Sequence, residues 1–327
     1  MKVVLGFDTS CYTTSMAAVD LKGNLISNGE ILLKVDEGQR GISQSKALFQ
    51  HLHNLPDITS LISYNTQNLD IVAICSSAKP RPVMESYMPV FMVSYLVGKA
   101  MANLLKVPFY GTTHQEGHIM AALSSVEGLN EDNFIAIHLS GGTSEMLDVN
   151  KKEAGFDISI IGKTQDLHAG QFVDRVGVAL GLSFPAGPKL EELALKGQRG
   201  KVIIPSFVRK DEIGFSGAET HARRLIEAGE NPADIALAVF MCLVKTLEKW
   251  IANAIKERKI KNILMVGGVS SNSIIRQHLE IRLKKYDKSI RLLYAQPNLS
   301  RDNAVGVALL GLQKYYTDYH KNNMIGF

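Results

Sequence analysis

Phe134-Ile135-Ala136-Ile137-His138-Leu139-Ser140-Gly141-Gly142-Thr143-Ser144-Glu145-Met146-Leu147-Asp148-Val149 is an apolar run, a turn of small residues and a second apolar run. It reads as a β-hairpin: Phe134–Leu139 is a strand, Ser140–Ser144 the turn, and Met146–Val149 resumes the apolar pattern. The glycines let the backbone approach a ligand closely, and successive N–H groups in such a turn can cradle a phosphate. The start of the chain has the same design. Residues 3–7 are apolar, Asp8-Thr9-Ser10 closes them, and Met16-Ala17-Ala18-Val19 resumes. Either turn alone reads as a tight hairpin and no more. Two matching hairpins about 130 residues apart predict a duplicated domain with a cleft between its halves.

Between the hairpins the pattern is α/β. Leu69–Cys75 reads as a buried strand, Tyr87–Leu105 as a helix with Pro89 near its start, and Val107–Tyr110 as another strand. After the second hairpin a helix begins near Gly170 and carries Asp174. Residues 182–188 (Leu-Ser-Phe-Pro-Ala-Gly-Pro) then mark a rigid loop. Residues 233–256 read as a long apolar helix with the single tryptophan, Trp250, in the core. Ile263–Val266 is a strand followed by Gly267-Gly268-Val269-Ser270-Ser271-Asn272 and a helix. That order suits a nucleotide, although it is not the Gly-x-Gly-x-x-Gly dinucleotide fingerprint. Leu292–Ala295 is the last strand, and Asn298–Asn303 leads into a small-residue helix over Ala304–Leu312.

The strand at Val107–Tyr110 runs into Tyr110-Gly-Thr-Thr-His-Gln-Glu-Gly-His118, a helix opening after a loop. His114 and His118 are four apart, so both imidazoles lie on one helical face and can reach one metal ion. Zinc and ferrous iron both suit nitrogen ligands. Glu116 stands two residues after the first histidine, which is not the metalloprotease spacing, and a helix turns it away from the histidine face. A metal needs a third protein ligand. Asp302, at the start of the last helix, is either a helix cap or that carboxylate ligand.

The whole chain has 327 residues, 46% hydrophobic and 21% charged, with a formal charge of +4. That length predicts about two domains. Cys11, Cys75 and Cys242 are far apart and form no Cys-x-x-Cys, which points to a reducing compartment. The opening Met-Lys-Val-Val-Leu-Gly-Phe-Asp is a strand and not a signal peptide. The longest apolar run, Ile235–Val244, is about half of a membrane span. A cytoplasmic protein with no membrane role is expected. Residues 256–291 hold ten Lys or Arg against three acids, which suits solvated helix ends at least as well as a nucleic-acid face.

These motifs, taken in order, resemble the TsaD/Gcp family, also called YgjD or the glycoprotease family and once labelled O-sialoglycoprotein endopeptidase. The residues that carry the resemblance are His114-Gln115-Glu116-Gly117-His118, Ser140-Gly141-Gly142, Gly170-Gln171-Phe172-Val173-Asp174-Arg175, Pro185-Ala186-Gly187-Pro188, Phe215-Ser216-Gly217, Gly267 to Asn272, and Arg301-Asp302-Asn303-Ala304. The resemblance implies the actin-like ATPase superfold, with two duplicated α/β lobes and a nucleotide cleft between them. The N-terminal lobe would span 1–125, with part of helix 304–327 packing back onto it. The C-terminal lobe would span 126–327, with an inserted helical segment at about 165–255.

The resemblance further implies transfer of a threonylcarbamoyl group from threonylcarbamoyl-adenylate to N6 of the adenosine next to the anticodon of ANN-decoding tRNAs. One divalent metal, Fe(II) or Zn(II), would be held by His114, His118 and Asp302. An adenine nucleotide or adenylate would be lined by Ser140, Gly141, Gly142, Thr143, Asp174, Gly187 and Asn272. The implied partners are tRNA and small proteins of the same pathway, including a truncated paralogue as heterodimer. No protease nucleophile or His-Glu-x-x-His is present.

The chain also departs from the family. The family opening Glu-Thr-Ser-Cys-Asp-Glu-Thr stands here as Asp8-Thr9-Ser10-Cys11-Tyr12-Thr13-Thr14, so Tyr12 and Thr13 replace an acidic pair. A helix glutamate has become Gln171. Residues 41–51 match the family segment poorly, and the family's Gly-Pro-Gly loop, near residues 78–85, reads Ala78-Lys79-Pro80-Arg81-Pro82-Val83-Met84-Glu85. These departures suggest a diverged member. It would be another carbamoyl transferase, or a non-catalytic adenine-nucleotide-binding partner.

Overall fold

The structure is a computed structural model that describes residues 1–10, 12–35, 42–64, 69–83, 85–299 and 304–324. In chain order its elements are β1 (Lys2–Thr9), β2 (Thr13–Asp20), β3 (Leu25–Leu32), α1 (Gln44–Tyr64), β4 (Asp70–Lys79), α2 (Phe91–Leu105), β5 (Phe109–Thr113), α3 (His114–Ser124), β6 (Asn133–Leu139), β7 (Ser144–Lys151) and β8 (Phe156–Thr164). Next come α4 (Ala169–Ala179), α5 (Gly187–Ala194), β9 (Phe207–Arg209), β10 (Glu212–Gly214), α6 (Ser216–Glu227), α7 (Pro232–Arg258), β11 (Asn262–Val266), α8 (Ser273–Tyr286), β12 (Arg291–Tyr294) and α9 (Val305–Met324). The chain divides into two compact units. One comprises residues 1–127, 151–157 and the described part of 301–327; the other comprises 128–150 and 158–300.

The first unit is built on a five-stranded sheet of order β3-β2-β1-β4-β5. β1 and β2 form the antiparallel hairpin expected from the opening residues, with Phe7 opposite Met16, and β1, β4 and β5 run parallel. Alternation decides which residues of β1 face which layer. Val3, Leu5 and Phe7 pack with Ile58, Ile62 and Ala102 of α1 and α2. Val4, Gly6 and Asp8 therefore face the other layer, where α3 and α9 lie. Close approach there needs glycine. A Cβ on Gly6 would stand 2.6 Å from the Ala304 carbonyl, and one on Gly311 would stand 3.0 Å from Val4. Gly306 of α9 lies directly on the Gly117 carbonyl of α3.

The second unit's sheet has the order β12-β11-β6-β7-β8-β10-β9. Read from β8 to β12, it repeats the first sheet: an antiparallel hairpin, here β6–β7, whose first strand continues into two parallel neighbours. The expected duplication is thus visible in strand order. Ile135, Ile137 and Leu139 form one core with Phe172, Leu247 and Trp250. Each such side chain stabilises the fold by about 1.5–3 kcal/mol when fully buried. Asn231 caps α7 through its side-chain oxygen, which accepts from Ala233 N at 2.8 Å. Trp250 Nε1 donates to the Asp211 carbonyl at 2.7 Å.

Several boundaries differ from the sequence expectation. β5 extends to Thr113 and passes into α3 with no loop between them. α9 runs to Met324, well beyond Leu312. The segment expected to be helical over 165–255 also contains β9 and β10, a short hairpin that widens the sheet. α1, β3, β8, α5 and the full length of α8 were not anticipated. Among the described residues no helix is long and apolar enough to cross a membrane.

Candidate functional site

Thr113 ends β5 and caps α3. Its Oγ1 accepts from Glu116 N at 3.2 Å, and the Glu116 carboxylate accepts from Thr113 N at 3.0 Å, completing a capping box. The hydroxyls of Thr112 and Thr113 also donate to Glu116. Glu116 is thus a structural residue, turned away from the histidines as its spacing suggested. Gln115 N donates to the Pro80 carbonyl at 3.0 Å, tying the Lys79–Arg81 loop to the same helix end.

The cap fixes where the two histidines stand. His114 Nε2 and His118 Nε2 are 3.0 Å apart, with the rings nearly perpendicular at 85°. Behind His114, the fully buried Asp8 places its carboxylate oxygens 3.1 and 3.2 Å from Nδ1. A carboxylate at Nδ1 fixes the proton there and leaves Nε2 as a lone pair, the arrangement that supports a metal-bound imidazole. The 3.0 Å contact is a hydrogen bond between the two rings, and these same two Nε2 atoms are the ligands that a nitrogen-bound metal would take. Asp302, expected as the third ligand, lies outside the described residues. Among those described, no group of three or more His, Cys, Asp or Glu converges as a metal site. The sequence alone gives Asp8 no place beside the histidines. Only the strand-to-helix packing joins it to His114, 106 residues away.

The Ser140–Ser144 turn forms in the second unit as expected. Ser140 N donates to Thr143 O at 2.8 Å, and Gly170 N at the start of α4 donates to Ser140 O at 3.1 Å. Ser144 Oγ accepts from Ala169 N at 2.8 Å. Gly170 must be glycine, since a Cβ there would stand 2.7 Å from Gly141 N. Gly141 and Gly142 are exposed, and a Cβ on either would meet nothing, so the outer side of this turn is open. Asp174, one helical turn further along α4, accepts from Ala186 N at 2.8 Å and from the Gly187 amide. It thereby holds the loop after the Phe184–Pro185 cis peptide against α4. Asn272 is committed to a cap: its Oδ1 accepts from Ile275 N at 2.9 Å. The Gly267–Asn272 segment is a short 3-10 turn leading into α8, with Gly267 at φ 89°. Tyr12 is 37% exposed and Thr13 is buried.

Burial raises the Asp174 carboxyl above its ordinary value, and the two amide donors only partly oppose this. Such a group contributes stability fully only below the usual carboxylate range and loses it as pH rises through the raised value. Asp174→Asn, which cannot ionise, is therefore expected to gain on the wild type between acid and neutral pH, read as a shift of urea midpoint. An offset constant with pH would show that Asp174 titrates normally.

A cavity of about 690 Å³ lined by Trp250, Lys210, Asn253 and Arg258 contains none of these residues. Cys75 and Cys242 are buried, with thiols pushed up to about 12 by burial, so neither is a nucleophile.

The family model for TsaD, tRNA N6-adenosine threonylcarbamoyltransferase, matches residues 34–309. Among solved structures, the chain resembles the activator of the 2-hydroxyisocaproyl-CoA dehydratase from Clostridium difficile with bound ADPNP. The identity is 12% and the TM-score 0.55, over 98% of this chain and 97% of that one. It also resembles T. kodakarensis HypF (16%, TM-score 0.58, 97% and 48%). A third match is a ROK family glucokinase from Streptomyces griseus in complex with glucose and AMPPNP (14%, TM-score 0.52, 95% and 99%). The fold is the actin-like ATPase superfold.

Proposed function

We propose that this chain, which belongs to the TsaD family of tRNA N6-adenosine threonylcarbamoyltransferases, transfers a threonylcarbamoyl group from threonylcarbamoyl-adenylate to N6 of the adenosine beside the anticodon of ANN-decoding tRNAs. The observation that carries this reading is the histidine pair, with Nε2 atoms 3.0 Å apart and Asp8 seated on His114 Nδ1. In the reaction the N6 amine forms a bond to the carbamoyl carbon. The bond from that carbon to the adenylate phosphate oxygen breaks, AMP leaves, and the amine loses a proton.

His114, His118 and Asp302 would hold one Fe(II) or Zn(II), which when bound supplies positive charge to an oxygen that becomes more negative in the transition state. Ser140, Gly141, Gly142 and Thr143 offer an open turn for the adenylate phosphate. Asp174 orders Ala186 and Gly187 beside α4, and Asn272 fixes the start of α8. ADPNP and AMPPNP in two proteins of the same fold support an adenine nucleotide here. The partners in this reading are tRNA and small pathway proteins, among them a truncated paralogue, in the cytoplasm.

Tyr12 and Thr13 favour a second reading, because neither side chain can act as the carboxylate that the family carries there. A diverged carbamoyl transferase with another acceptor, or a non-catalytic nucleotide-binding partner, would keep the histidines and the glycine turn. Mass analysis of nucleosides separates the two. Unmodified ANN-decoding tRNA is incubated with the protein, threonylcarbamoyl-adenylate and candidate partner proteins. Threonylcarbamoyl-adenosine that disappears in His114→Ala is the expected result. No product, from protein shown to bind adenylate, would favour the second reading.

A further inference from the structure

β1 is apolar from Val3 to Phe7 and then ends in Asp8-Thr9-Ser10, three polar residues that are 0%, 1% and 2% exposed. An apolar ending of similar size would cost less to bury. A different helix holds each of the three. Asp8 meets His114 of α3. The Ser10 carbonyl lies 2.8 Å from Nε2 of His51 on α1, whose Nδ1 is 2.8 Å from the Thr14 hydroxyl of β2. Thr9 is taken by α2. Its hydroxyl donates to the carbonyl of Val90, the N-cap of α2, at 2.7 Å and accepts from Ser94 N at 3.1 Å. Those two backbone groups are four residues apart, the pair that an α-helix joins, so Thr9 reaches into the first turn of α2.

The strand register shows what this contact replaces. β1 and β4 pair as far as Phe7 and Ser76, and β4 then continues beside β5 to Lys79. Asp8 therefore stands past the last β1–β4 pair, with Ser15 of β2 opposite it on the other side. Ser94 spans the gap toward β4. Its hydroxyl donates to the Ser77 carbonyl at 3.0 Å and lies 2.9 Å from the Thr9 hydroxyl. Two hydroxyls thus fix the end of β1 on the β4 side, as the ladder and His51 fix it on the β2 side. The Asp8 carboxylate depends on that position. Among the described residues its hydrogen bonds go to His114 Nδ1, at 3.1 and 3.2 Å. Both lie at the long end of the range for an N–H···O bond, so a small outward shift of the strand end would release the ring.

We infer that Thr9 and Ser94 are positioning residues for the histidine pair: their hydroxyls fix the end of β1 so that the Asp8 carboxylate stays on His114 and keeps its Nε2 aimed at a divalent metal. This rests on the metal reading above. The probe is zinc, titrated by calorimetry into the full-length wild type, Thr9→Val and Thr9→Ser, with melting temperatures measured alongside. Valine keeps the shape of threonine without the hydroxyl, and Ser94 N and the Val90 carbonyl can then pair with each other, so α2 keeps its hydrogen bonds. Serine keeps the hydroxyl and drops a buried methyl. Thr9→Val should bind zinc about tenfold more weakly, the lower end of what losing a supporting hydrogen bond costs a metal site. Thr9→Ser should bind as the wild type does, even if it melts earlier. In metal-free protein the His114 Nδ1 proton resonance, assigned by its loss in Asp8→Asn, should move in Thr9→Val and stay in place in Thr9→Ser. Wild-type zinc affinity in Thr9→Val overturns the inference. So does an equal loss in Thr9→Val and Thr9→Ser, because packing alone would then account for it. If Thr9→Val fails to fold, Ser94→Ala takes its place, and wild-type affinity there overturns the inference. A wild type that binds no zinc removes the metal reading instead. The Nδ1 proton then decides the positioning role by itself, and an unmoved resonance in Thr9→Val overturns it.

Discussion

Gly306→Ala is expected to destabilise the protein by about 3 kcal/mol or more, the upper range for overpacking a close contact. The sign runs against helix propensity, which favours alanine over glycine inside a helix by about 1 kcal/mol. Geometry decides between them. A methyl group at 306 would land on the Gly117 carbonyl and stand 2.7 Å from Ala121 N, both on α3. Backbone atoms inside a helix cannot turn aside as a side chain would, so α9 and α3 would have to separate. At roughly 2–4 °C per kcal/mol, the melting temperature should fall by roughly 6–12 °C. Gly217→Ala is the matched control. A Cβ there meets nothing, so propensity acts alone and the protein should hold or gain up to about 1 kcal/mol. If Gly306→Ala melts at or above the wild type, the two helices are not in backbone contact.

The second large effect is expected at the histidine pair. Wild-type protein equilibrated with zinc or ferrous iron should retain close to one metal per chain by elemental analysis, and His114→Ala or His118→Ala should lose it. Asp8→Asn removes no ligand but frees the His114 ring and its Nδ1 proton, so metal affinity should fall by roughly 10–100-fold. A metal bound only to the folded state adds about 2.7 kcal/mol of stability at a hundred times its dissociation constant. Excess zinc should therefore raise the wild-type melting temperature but not that of either histidine variant. Equal metal content in the wild type and both histidine variants would remove these residues from the ligand set.

Physical chemistry explains which features the sequence revealed. β1, β6 and α7 were readable because burial imposes a regular apolar pattern on each, and the two hairpins could be matched because both end in small turn residues. α1 was not readable. It contains Pro56 and exposes Phe49, Leu52 and Leu61, so its apolar residues follow no single face. β8 alternates only weakly, with much of its length exposed. The second half of α9 is polar, and it packs partly through hydroxyls. Tyr316 donates to the Leu21 carbonyl at 2.6 Å, and Asp318 accepts from Tyr110 at 3.0 Å. At the candidate site, spacing along one helix marked His114 and His118. Nothing local marked Asp8, whose partner comes from packing.

The placement of α9 has a consequence for how the chain is made. The second unit has all its strands once residue 294 has been synthesised, and the segments that build it lie close together in sequence. The first unit begins earlier, but α3 alone leaves Val4 and Gly6 of its sheet uncovered until the α9 segment arrives. On the ribosome, its hairpin and parallel strands would wait with that apolar layer open while the whole second unit folds. Closing so long a loop is slow more than it is costly, because the entropy of closure grows only with the logarithm of length. The interval exposes β1 and β4 to wrong partners, so misassembly during synthesis is expected to begin in the first unit.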